Sequence, residues 1–254
     1  MPRTDGIDFD KYKRLTYDDY RKLAGNDNLS QYEKVGFPDE YRRGHEENIF
    51  SDIKSKLHCL DETGKVIVDI GCGCSDLAHL IIENCVTRES TLILIDCEEM
   101  LSLLPEREFV RKYPGRFPDC PQLFDEFIGV VDGVLIYSVL SVVFLEANPF
   151  DFLDNACTLL KDGGEILVGD IPNVSKRNRF FSSKDGIKYH QEFTGTNEIP
   201  DVDFTHIEKE KIDDGVVLGI LNRYRGFGFE TYLLPLNERL PMANRREDML
   251  IRKP

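Results

Sequence analysis

Hydrophobic and polar residues follow two alternating patterns along most of this chain. Continuous apolar runs, VIVDI at 66–70, TLILID at 91–96 and EILVGDI at 165–171, predict buried strands. Between these runs, apolar residues recur at steps of three and four, as on one face of a helix. Buried strands that alternate with helices are typical of a parallel sheet covered on both faces. The pattern therefore predicts an α/β fold.

Weaker patterns complete the series of elements. EFVRKY at 108–113 predicts an exposed third strand, and GVLIYSV at 133–139 predicts a buried fourth strand. FETYLL at 229–234 and EDMLIR at 247–252 predict a closing hairpin, and Gly163–Gly164 predicts a turn. The helices expected between and after the strands lie at 75–85, 97–104, 148–160 and 213–226.

The N-terminal segment is polar and rich in tyrosine, which predicts a helical cover for the sheet. LTYDDYRKLA predicts a short helix with Thr16 as its N-cap and Asp19 completing a weak capping box. A longer helix is expected from Pro38 to Leu60, because apolar residues recur there at steps of three and four.

Composition and charge narrow the class of protein. The chain has 254 residues, of which 41% are hydrophobic and 31% charged, enough for one domain with a sizeable core. Its net charge of −14 argues against nucleic acid as the main partner. No apolar run reaches the roughly 18 residues that a membrane span needs. We therefore expect a protein that binds neither nucleic acid nor membrane.

Cysteine usage and the first residues indicate the compartment. MPRTDGIDFDKYKR lacks the apolar core of a secretory signal, so we expect a cytoplasmic protein whose seven cysteines are reduced. Cys72 and Cys74 form a C-x-C pair, but no second Cys or His pair follows at zinc spacing. We therefore expect no metal site.

The stretch VDIGCGCSD at 68–76 suggests a ligand site. Gly71 and Gly73 let a ligand lie against the main chain after the first strand, although a tight turn without a ligand fits them as well. A dinucleotide fingerprint needs a third glycine at position 76, where Asp76 would repel a pyrophosphate. Asp96 ends the second strand and can accept both hydroxyls of a ribose. Together these residues predict a nucleoside without a pyrophosphate.

VDIGCGCSD resembles the first motif of class I S-adenosylmethionine-dependent methyltransferases, and LILIDCEEM resembles their second-strand motif. The resemblance covers roughly residues 60–171. It implies a Rossmann-like, seven-stranded, mostly parallel sheet with helices on both faces and the last strand antiparallel. It also implies S-adenosylmethionine as cofactor and S-adenosylhomocysteine as product. The cofactor-binding residues that it implies are Asp69, Gly71, Cys72, Gly73, Asp96, Cys97, Met100, Arg116, Phe117, Tyr137 and Ser138.

Individual roles follow from the same resemblance. Asp69 is expected to orient the amino acid part of the cofactor, and Tyr137 and Ser138 to face the methyl donor. Met100 and Phe117 are expected at the adenine, although plain core packing explains them as well. No Asp/Asn-Pro-Pro-Tyr follows the fourth strand, so the methyltransferases of DNA bases are a poor match. No acidic cluster suggests the metal site of catechol-type enzymes.

The predicted domain organisation follows from these motifs. We expect a single methyltransferase domain over 1–254. Its parts are an N-terminal helical cover at 1–64, a cofactor-binding half at 65–171, a substrate-side insertion at 172–212, and a helix with the closing hairpin at 213–254.

The acceptor pocket is not specified by the resemblance and must be read from the residues. The basic cluster in SKRNRFF predicts binding of a small anionic acceptor, although a solvated loop is an equal alternative. By residue type, His190 is the best general base, and Tyr137 is a second catalytic candidate. Lys34, Tyr41 and Arg42 are further candidates for contacts with the cofactor carboxylate or the acceptor. The substrate-binding candidates are Tyr32, Lys176, Arg177, Arg179 and Tyr189.

Three segments extend the resemblance to a narrower group. YEKVGFPDEYRRG, DIPNVSKRNRFF and NRRED are similar to methyltransferases associated with bacterial surface polysaccharide biosynthesis. This implies a sugar, a nucleotide-linked intermediate or a phosphorylated or phosphoramidate group as acceptor. Two alternatives stay open: a protein or peptide methyltransferase, and a non-catalytic nucleoside-binding protein. The sequence does not specify the oligomeric state.

Overall fold

The computed structural model of the chain describes residue 12 and residues 14–254. Most of the N-terminal sequence from which we predicted the compartment, and the first part of the predicted cover, lie outside these residues. The strands are β1 Val66–Ile70, β2 Thr91–Asp96, β3 Val110–Pro114, β4 Val131–Tyr137, β5 Leu160–Pro172, β6 Glu230–Leu234 and β7 Arg246–Arg252. Within the described residues they form one seven-stranded sheet in the order β3-β2-β1-β4-β5-β7-β6.

Helices surround this sheet. They are α1 Tyr17–Ala24, α2 Gln31–Lys34, α3 Asp39–Arg42, α4 Glu46–Lys54, α5 Asp76–Thr87, α6 Glu98–Leu101, α7 Pro121–Phe127, α8 Leu140–Glu146, α9 Pro149–Leu159, α10 Val174–Phe181, α11 Lys184–Thr194 and α12 Asp214–Gly226. Two short 3-10 helices lie at His58–Asp61 and Ala243–Arg245.

Both faces of the sheet are apolar, as the continuous hydrophobic runs predict. Val68 of β1 packs on the core side that holds α7, α9 and α12, whereas Ile67 packs on the side that holds α4, α5 and α6. Neighbouring residues of a strand point to opposite faces, so a strand buried on both sides must be apolar throughout. The predicted α/β fold is confirmed.

Strand directions create a crevice in the middle of the sheet. Strands β1 to β5 run parallel, and β7 pairs antiparallel with β5 and with β6. The predicted Rossmann-like sheet with an antiparallel last strand is therefore confirmed. β1 and β4 are neighbours in the sheet. After β1 the chain crosses to β2 on one side of this pair, and after β4 it crosses to β5 on the other side. The carboxyl ends of β1 and β4 then border a cleft, the usual ligand site of such sheets.

Two local predictions were wrong, and one helix was missed. The expected helix from Pro38 is split into α3 and α4 by Gly44, whose φ of +82° ends the first helix. Gly163–Gly164, expected as a turn, lies inside β5, where Gly163 donates its N–H to the carbonyl of Lys253. Helix α8 was not predicted, because the apolar run at 133–145 hides the boundary between strand and helix.

Candidate active site

The cleft at the carboxyl ends of β1, β2 and β4 widens into a cavity. Together with its open mouth and the solvent in it, this space measures about 990 Å³. The turn after β1 and the ends of β2 and β4 form its floor, and residues 115–117 after β3 form one wall. The N-terminal cover closes the opposite side with residues of α1, α3 and the segment between α2 and α3.

The glycine turn after β1 is shaped for close backbone approach. Gly71 and Gly73 have φ values of +74° and +63°, which side-chain-bearing residues rarely adopt. A Cβ on Gly71 would lie 2.5 Å from Cγ2 of Val139, and a Cβ on Gly73 would lie 2.7 Å from Cγ1 of Val35. The turn therefore requires glycine at both positions.

Asp96 connects this turn to the end of β2. Its Oδ2 accepts the N–H of Gly73 at 2.9 Å, and its Oδ1 accepts the N–H of Cys97 at 2.7 Å. Burial raises the pKa of Asp96, while these two donors act in the opposite direction. A carboxylate oxygen has two lone pairs, so each oxygen retains one for a ligand hydroxyl. The carboxylate is thus fixed at the cavity wall with capacity for two further donors.

Helix α1 brings aromatic side chains to the cavity. Tyr17 and Tyr20 lie one turn apart on α1 and both line the cavity. The helix begins with the predicted capping box, in which Thr16 and Asp19 satisfy each other's backbone N–H groups. Arg21 holds α1 to α6 through two guanidinium nitrogens bound to the carboxylate of Glu99. Burial raises the pKa of Tyr20 to about 12, so this residue carries a neutral hydroxyl.

A polar cluster occupies the ends of β4 and β5, beside the cavity. Arg42 Nη2 donates to Ser138 Oγ at 2.8 Å, and Ser138 Oγ donates to Asp170 Oδ2 at 2.5 Å. Asp170 Oδ2 also accepts from Arg246 Nη1 at 2.5 Å. Ser138 and Asp170 both have left-handed backbones, with φ of +63° and +59°. Such conformations cost about 1–3 kcal/mol each and concentrate at functional sites.

Buried charges support this cluster from behind. The backbone N–H of Asp170 donates to Asp248 Oδ1 at 2.8 Å, and Lys56 Nζ bridges Asp248 and Asp52 at 2.6 and 2.5 Å. Burial raises the pKa of Asp248 to about 6, although the charge of Lys56 lowers it. The chain of contacts joins α4 to β5 and β7 and fixes the position of Asp170.

The structure brings most of the expected cofactor residues together. Nine line the cavity: Gly71, Cys72, Gly73, Asp96, Met100, Arg116, Phe117, Tyr137 and Ser138. Asp69 does not, because it is 2% exposed inside β1. Burial, with the charge of Asp96 adding to it, raises the pKa of Asp69 to about 8. Cys97 is buried as well and acts on Asp96 through its N–H.

The expected acceptor residues lie outside the cavity lining. Arg177 and Arg179 of α10 pair with Glu208 and Asp214, and Lys176 donates to the carbonyl of Arg246 at 2.7 Å. Carboxylates thus neutralise two of the three basic residues of this cluster. Tyr32 of α2 donates its hydroxyl to Asp76 Oδ2 at 2.7 Å.

Helix α11 carries the remaining two candidates. His190 lies there with its ring 6.2 Å from that of Phe181, and Tyr189 stacks on Phe193. Neither contributes to the cavity lining. Their predicted roles thus receive no support from the geometry of the cavity itself.

Several residues at the site escaped the sequence prediction. Tyr17, Tyr20, Phe37 and Glu146 line the cavity, and Asp170 organises the polar cluster. Asp170 offered the same signal as Asp96, a carboxylate near the end of an apolar strand. The only sequence signal for the two tyrosines of α1 was their three-residue spacing. The same spacing occurs in helices that line no ligand site.

Within the described residues, no helix is long and apolar enough to cross a membrane. In the same part of the chain, no three His, Cys, Asp or Glu side chains converge to hold a metal ion.

Comparisons with known proteins identify the fold. No protein-family model and no curated protein matches the chain. Among solved structures, it is similar to the plantazolicin methyltransferase BpumL in complex with SAH, with 15% identity over 96% of this chain and 98% of that chain and a TM-score of 0.56. It is also similar to the N-methyltransferase NodS from Bradyrhizobium japonicum in complex with S-adenosyl-L-homocysteine, with 11% identity over 94% and 98% and a TM-score of 0.57. The chain has the fold of these methyltransferases.

Proposed function

We propose that the protein is an S-adenosylmethionine-dependent methyltransferase. The observation that carries this proposal is the carboxylate of Asp96, fixed by two backbone N–H groups at the wall of a cavity that the glycine turn also lines. Two solved proteins with the same fold hold S-adenosylhomocysteine, the product of the cofactor. The most direct alternative, a dinucleotide, is disfavoured because Asp76 starts α5 where a pyrophosphate would lie.

The cavity lining fits the parts of this cofactor. Asp96 would accept the two ribose hydroxyls, and Gly71 and Gly73 leave room for the amino acid part against the main chain. Met100 and Phe117, both nearly buried in the wall, would border the adenine. Arg42 faces the cavity beside Ser138 and would pair with the cofactor carboxylate.

The residues of the site can promote transfer mainly by positioning. When bound, S-adenosylmethionine supplies a methyl group on a positively charged sulfur, which is a good leaving group. Tyr17, Tyr20 and Phe37 cover the cavity and would exclude water from it. Tyr137 and Ser138, at the end of β4, would hold the acceptor in line with the methyl group. Such positioning supplies roughly 7–11 kcal/mol.

The geometry favours some proton acceptors over others. Asp170 Oδ2 already accepts from Arg42, Ser138 and Arg246, which disfavours it as a base. Tyr20 lines the cavity, and its hydroxyl has no hydrogen-bond partner among the described residues. Tyr20 is therefore better placed than His190 to orient an acceptor group, while general-base action by His190 or Tyr137 stays a prediction.

We further propose a small acceptor with negative charge. The guanidinium groups of Arg42 and Arg246 share the single carboxylate of Asp170, which leaves positive charge in excess at this end of the cavity. The similar structure of BpumL holds a desmethylPZN analog together with SAH, and a peptide acceptor is the alternative for this chain. The link to surface polysaccharide synthesis, the cytoplasmic location and the single-domain organisation stay predictions.

Calorimetric titration of S-adenosylhomocysteine tests the proposal. We expect micromolar binding to the wild type and a loss of at least about tenfold in Asp96→Ala and Asp96→Asn, since one charge-assisted hydrogen bond contributes about 1.5–3 kcal/mol. Asp125→Ala, which changes an exposed carboxylate on α7, should bind as the wild type does. A folded wild type that does not bind, or equal binding in the Asp96 variants, would overturn the proposal.

A further inference from the structure

A cluster of aromatic side chains lies on α10 and α11, away from the core. The rings of Phe180, Phe181, Tyr189 and Phe193 contact one another, with centroids 5.2 Å apart for Phe180–Phe181 and 6.2 Å apart for Tyr189–Phe193. The latter two rings are nearly parallel, at 7°. None of the four is buried, and Phe193 is 38% exposed. We name these four residues the aromatic shelf.

Arg245 adds a positive charge to the aromatic shelf. Its guanidinium lies 5.9 Å from the ring centroid of Phe181 and 6.0 Å from that of Tyr189. Its side chain has no hydrogen-bond or ion-pair partner among the described residues, whereas Arg177 and Arg179 of α10 are paired with carboxylates. In a chain of net charge −14, an unpaired arginine beside open rings is available for an anion.

The aromatic shelf lies close to residues that neighbour the cavity lining. Arg246, the neighbour of Arg245, lies 5.6 Å from the ring centroid of Phe37, which lines the cavity. Tyr41, the neighbour of the cavity residue Arg42, lies within electrostatic reach of the aromatic shelf: burial raises the pKa of its phenol, Arg245 lowers this pKa, and Tyr189 raises it. Two pairs of consecutive residues therefore connect the aromatic shelf to the cavity.

We propose that the aromatic shelf binds a planar, aromatic, negatively charged part of the methyl acceptor. The ring system stacks on Tyr189 and Phe193, and its carboxylate or phosphate pairs with Arg245. Flat rings on an open aromatic surface stack favourably, and a guanidinium binds such anions through two parallel hydrogen bonds. The acceptor then extends past Arg246 to the methyl group. This inference rests on the proposed function, whose acceptor class it specifies.

The alternative explanation is that these rings only join α10 to α11. A joining contact between two helices requires apolar side chains that face each other, but it does not require an unpaired cation beside them. It also does not require Phe193 to remain exposed to solvent, and exposed apolar clusters commonly mark binding surfaces. Both features follow directly if a flat anion occupies the aromatic shelf.

Ligand-detected NMR titration with 2-naphthoate tests the inference. The uncharged 2-naphthylmethanol and the non-aromatic cyclohexanecarboxylate serve as matched probes, with S-adenosylhomocysteine present at saturation. We expect 2-naphthoate to bind at least about fivefold more tightly than either matched probe, because stacking and the ion pair act together. Tyr189→Ala and Arg245→Gln should each weaken 2-naphthoate binding by at least about fivefold.

Control variants change exposed residues that have no contact with the aromatic shelf. Tyr232→Ala removes an exposed ring of β6 and Arg239→Gln an exposed cation, and both should bind 2-naphthoate as the wild type does. Equal binding in the Tyr189 and Arg245 variants, equal binding of the three probes, or no binding to the wild type would overturn the inference. So would light scattering that shows a dimer dissociated by Tyr189→Ala, since a second copy would then cover the aromatic shelf.

The two proposals fail separately in this design. Calorimetry on the same variants measures the affinity for S-adenosylhomocysteine, which we expect to be unchanged by Tyr189→Ala and Arg245→Gln. Absence of 2-naphthoate binding to a wild type that still binds S-adenosylhomocysteine overturns the role of the aromatic shelf alone. Absence of S-adenosylhomocysteine binding to the wild type overturns the proposed function.

Discussion

Single residues at the end of β1 determine how closely a ligand can approach the main chain. Gly71 and Gly73 take left-handed conformations, and the N–H of Gly73 is held by Asp96. Each glycine also contacts a valine side chain where a Cβ would otherwise lie. The positive φ and the close valine contact therefore both require glycine at these positions. A substitution test must separate the effect of conformation from the effect of packing.

Gly71→Ala and Gly129→Ala form a matched pair for this purpose. Both positions have positive φ, but a Cβ on Gly129 meets open space, whereas a Cβ on Gly71 meets Val139 at 2.5 Å. We expect Gly129→Ala to lower the free energy of unfolding by about 1–2 kcal/mol without changing the affinity for S-adenosylhomocysteine. Gly71→Ala should cost more and should also weaken that affinity. Urea unfolding and calorimetry measure both effects, and equal affinities in the two variants would contradict this account.

Asp69 should make stability depend on pH. Burial raises its pKa from 3.8 to about 8, so the folded chain keeps a proton that the unfolded chain loses. The contribution of Asp69 to the free energy of unfolding is then fully present below pH 3.8 and is lost as the pH rises to about 8. In Asp69→Asn, the fall between pH 5 and pH 8 should be smaller by at least about 1.4 kcal/mol, the equivalent of one pKa unit.

Urea unfolding at the two pH values measures this difference. Asp125→Asn, at an exposed position of α7, should keep the wild-type pH dependence. An Asp69→Asn variant with the same dependence as the wild type would show that Asp69 is ionised in the folded protein.

At the scale of elements, α1 links the N-terminal cover to the cavity. Its capping box fixes where the helix begins, the Arg21–Glu99 pair fixes it to α6, and the N–H of Tyr17 donates to Glu146 at 2.8 Å. These three contacts determine where Tyr17 and Tyr20 enter the cavity. Weakening the start of α1 should therefore affect the ligand as well as the fold.

Thr16→Ala tests this link, with Ser183→Ala as the matched control. Thr16 and Ser183 are both N-caps, of α1 and α11, but only α1 contributes to the cavity lining. Each substitution should lower the free energy of unfolding by about 1 kcal/mol. Calorimetry should show a lower affinity for S-adenosylhomocysteine in Thr16→Ala only. An unchanged affinity in Thr16→Ala would mean that α1 does not hold the ligand.

Prediction from sequence succeeded for elements whose pattern is local. The strands β1, β2 and β4 are continuous apolar runs, and Asp96 ends one of them, so both the sheet and the cavity floor followed from neighbouring residues. Helix α8 was missed because it continues the apolar run of β4 without an interruption.

The polar cluster around Asp170, which the sequence did not reveal, is held by ion pairs between residues far apart in the chain. Arg42 meets Asp170 across 128 residues of sequence, and Arg246 meets Asp170 across 76. The arginines of α10 were predicted to bind an anionic acceptor because their partners, Glu208 and Asp214, lie more than thirty residues away in sequence. The positive charge of neighbouring residues therefore predicted an anion site, although distant carboxylates of the same chain already pair with these arginines.

For the whole molecule, the strand order places the cavity at the carboxyl ends of β1 and β4, from which the chain continues to opposite sides of the sheet. The glycine turn, Asp96 and the N-terminal cover meet there, and the central claim is that this cavity holds S-adenosylmethionine. A crystal structure of the protein soaked or grown with S-adenosylhomocysteine tests that claim most directly. We predict that both ribose hydroxyls lie within about 3 Å of the Asp96 carboxylate, with the sulfur facing Tyr137 and Ser138. A ligand bound elsewhere, or a ribose away from Asp96, would contradict the account.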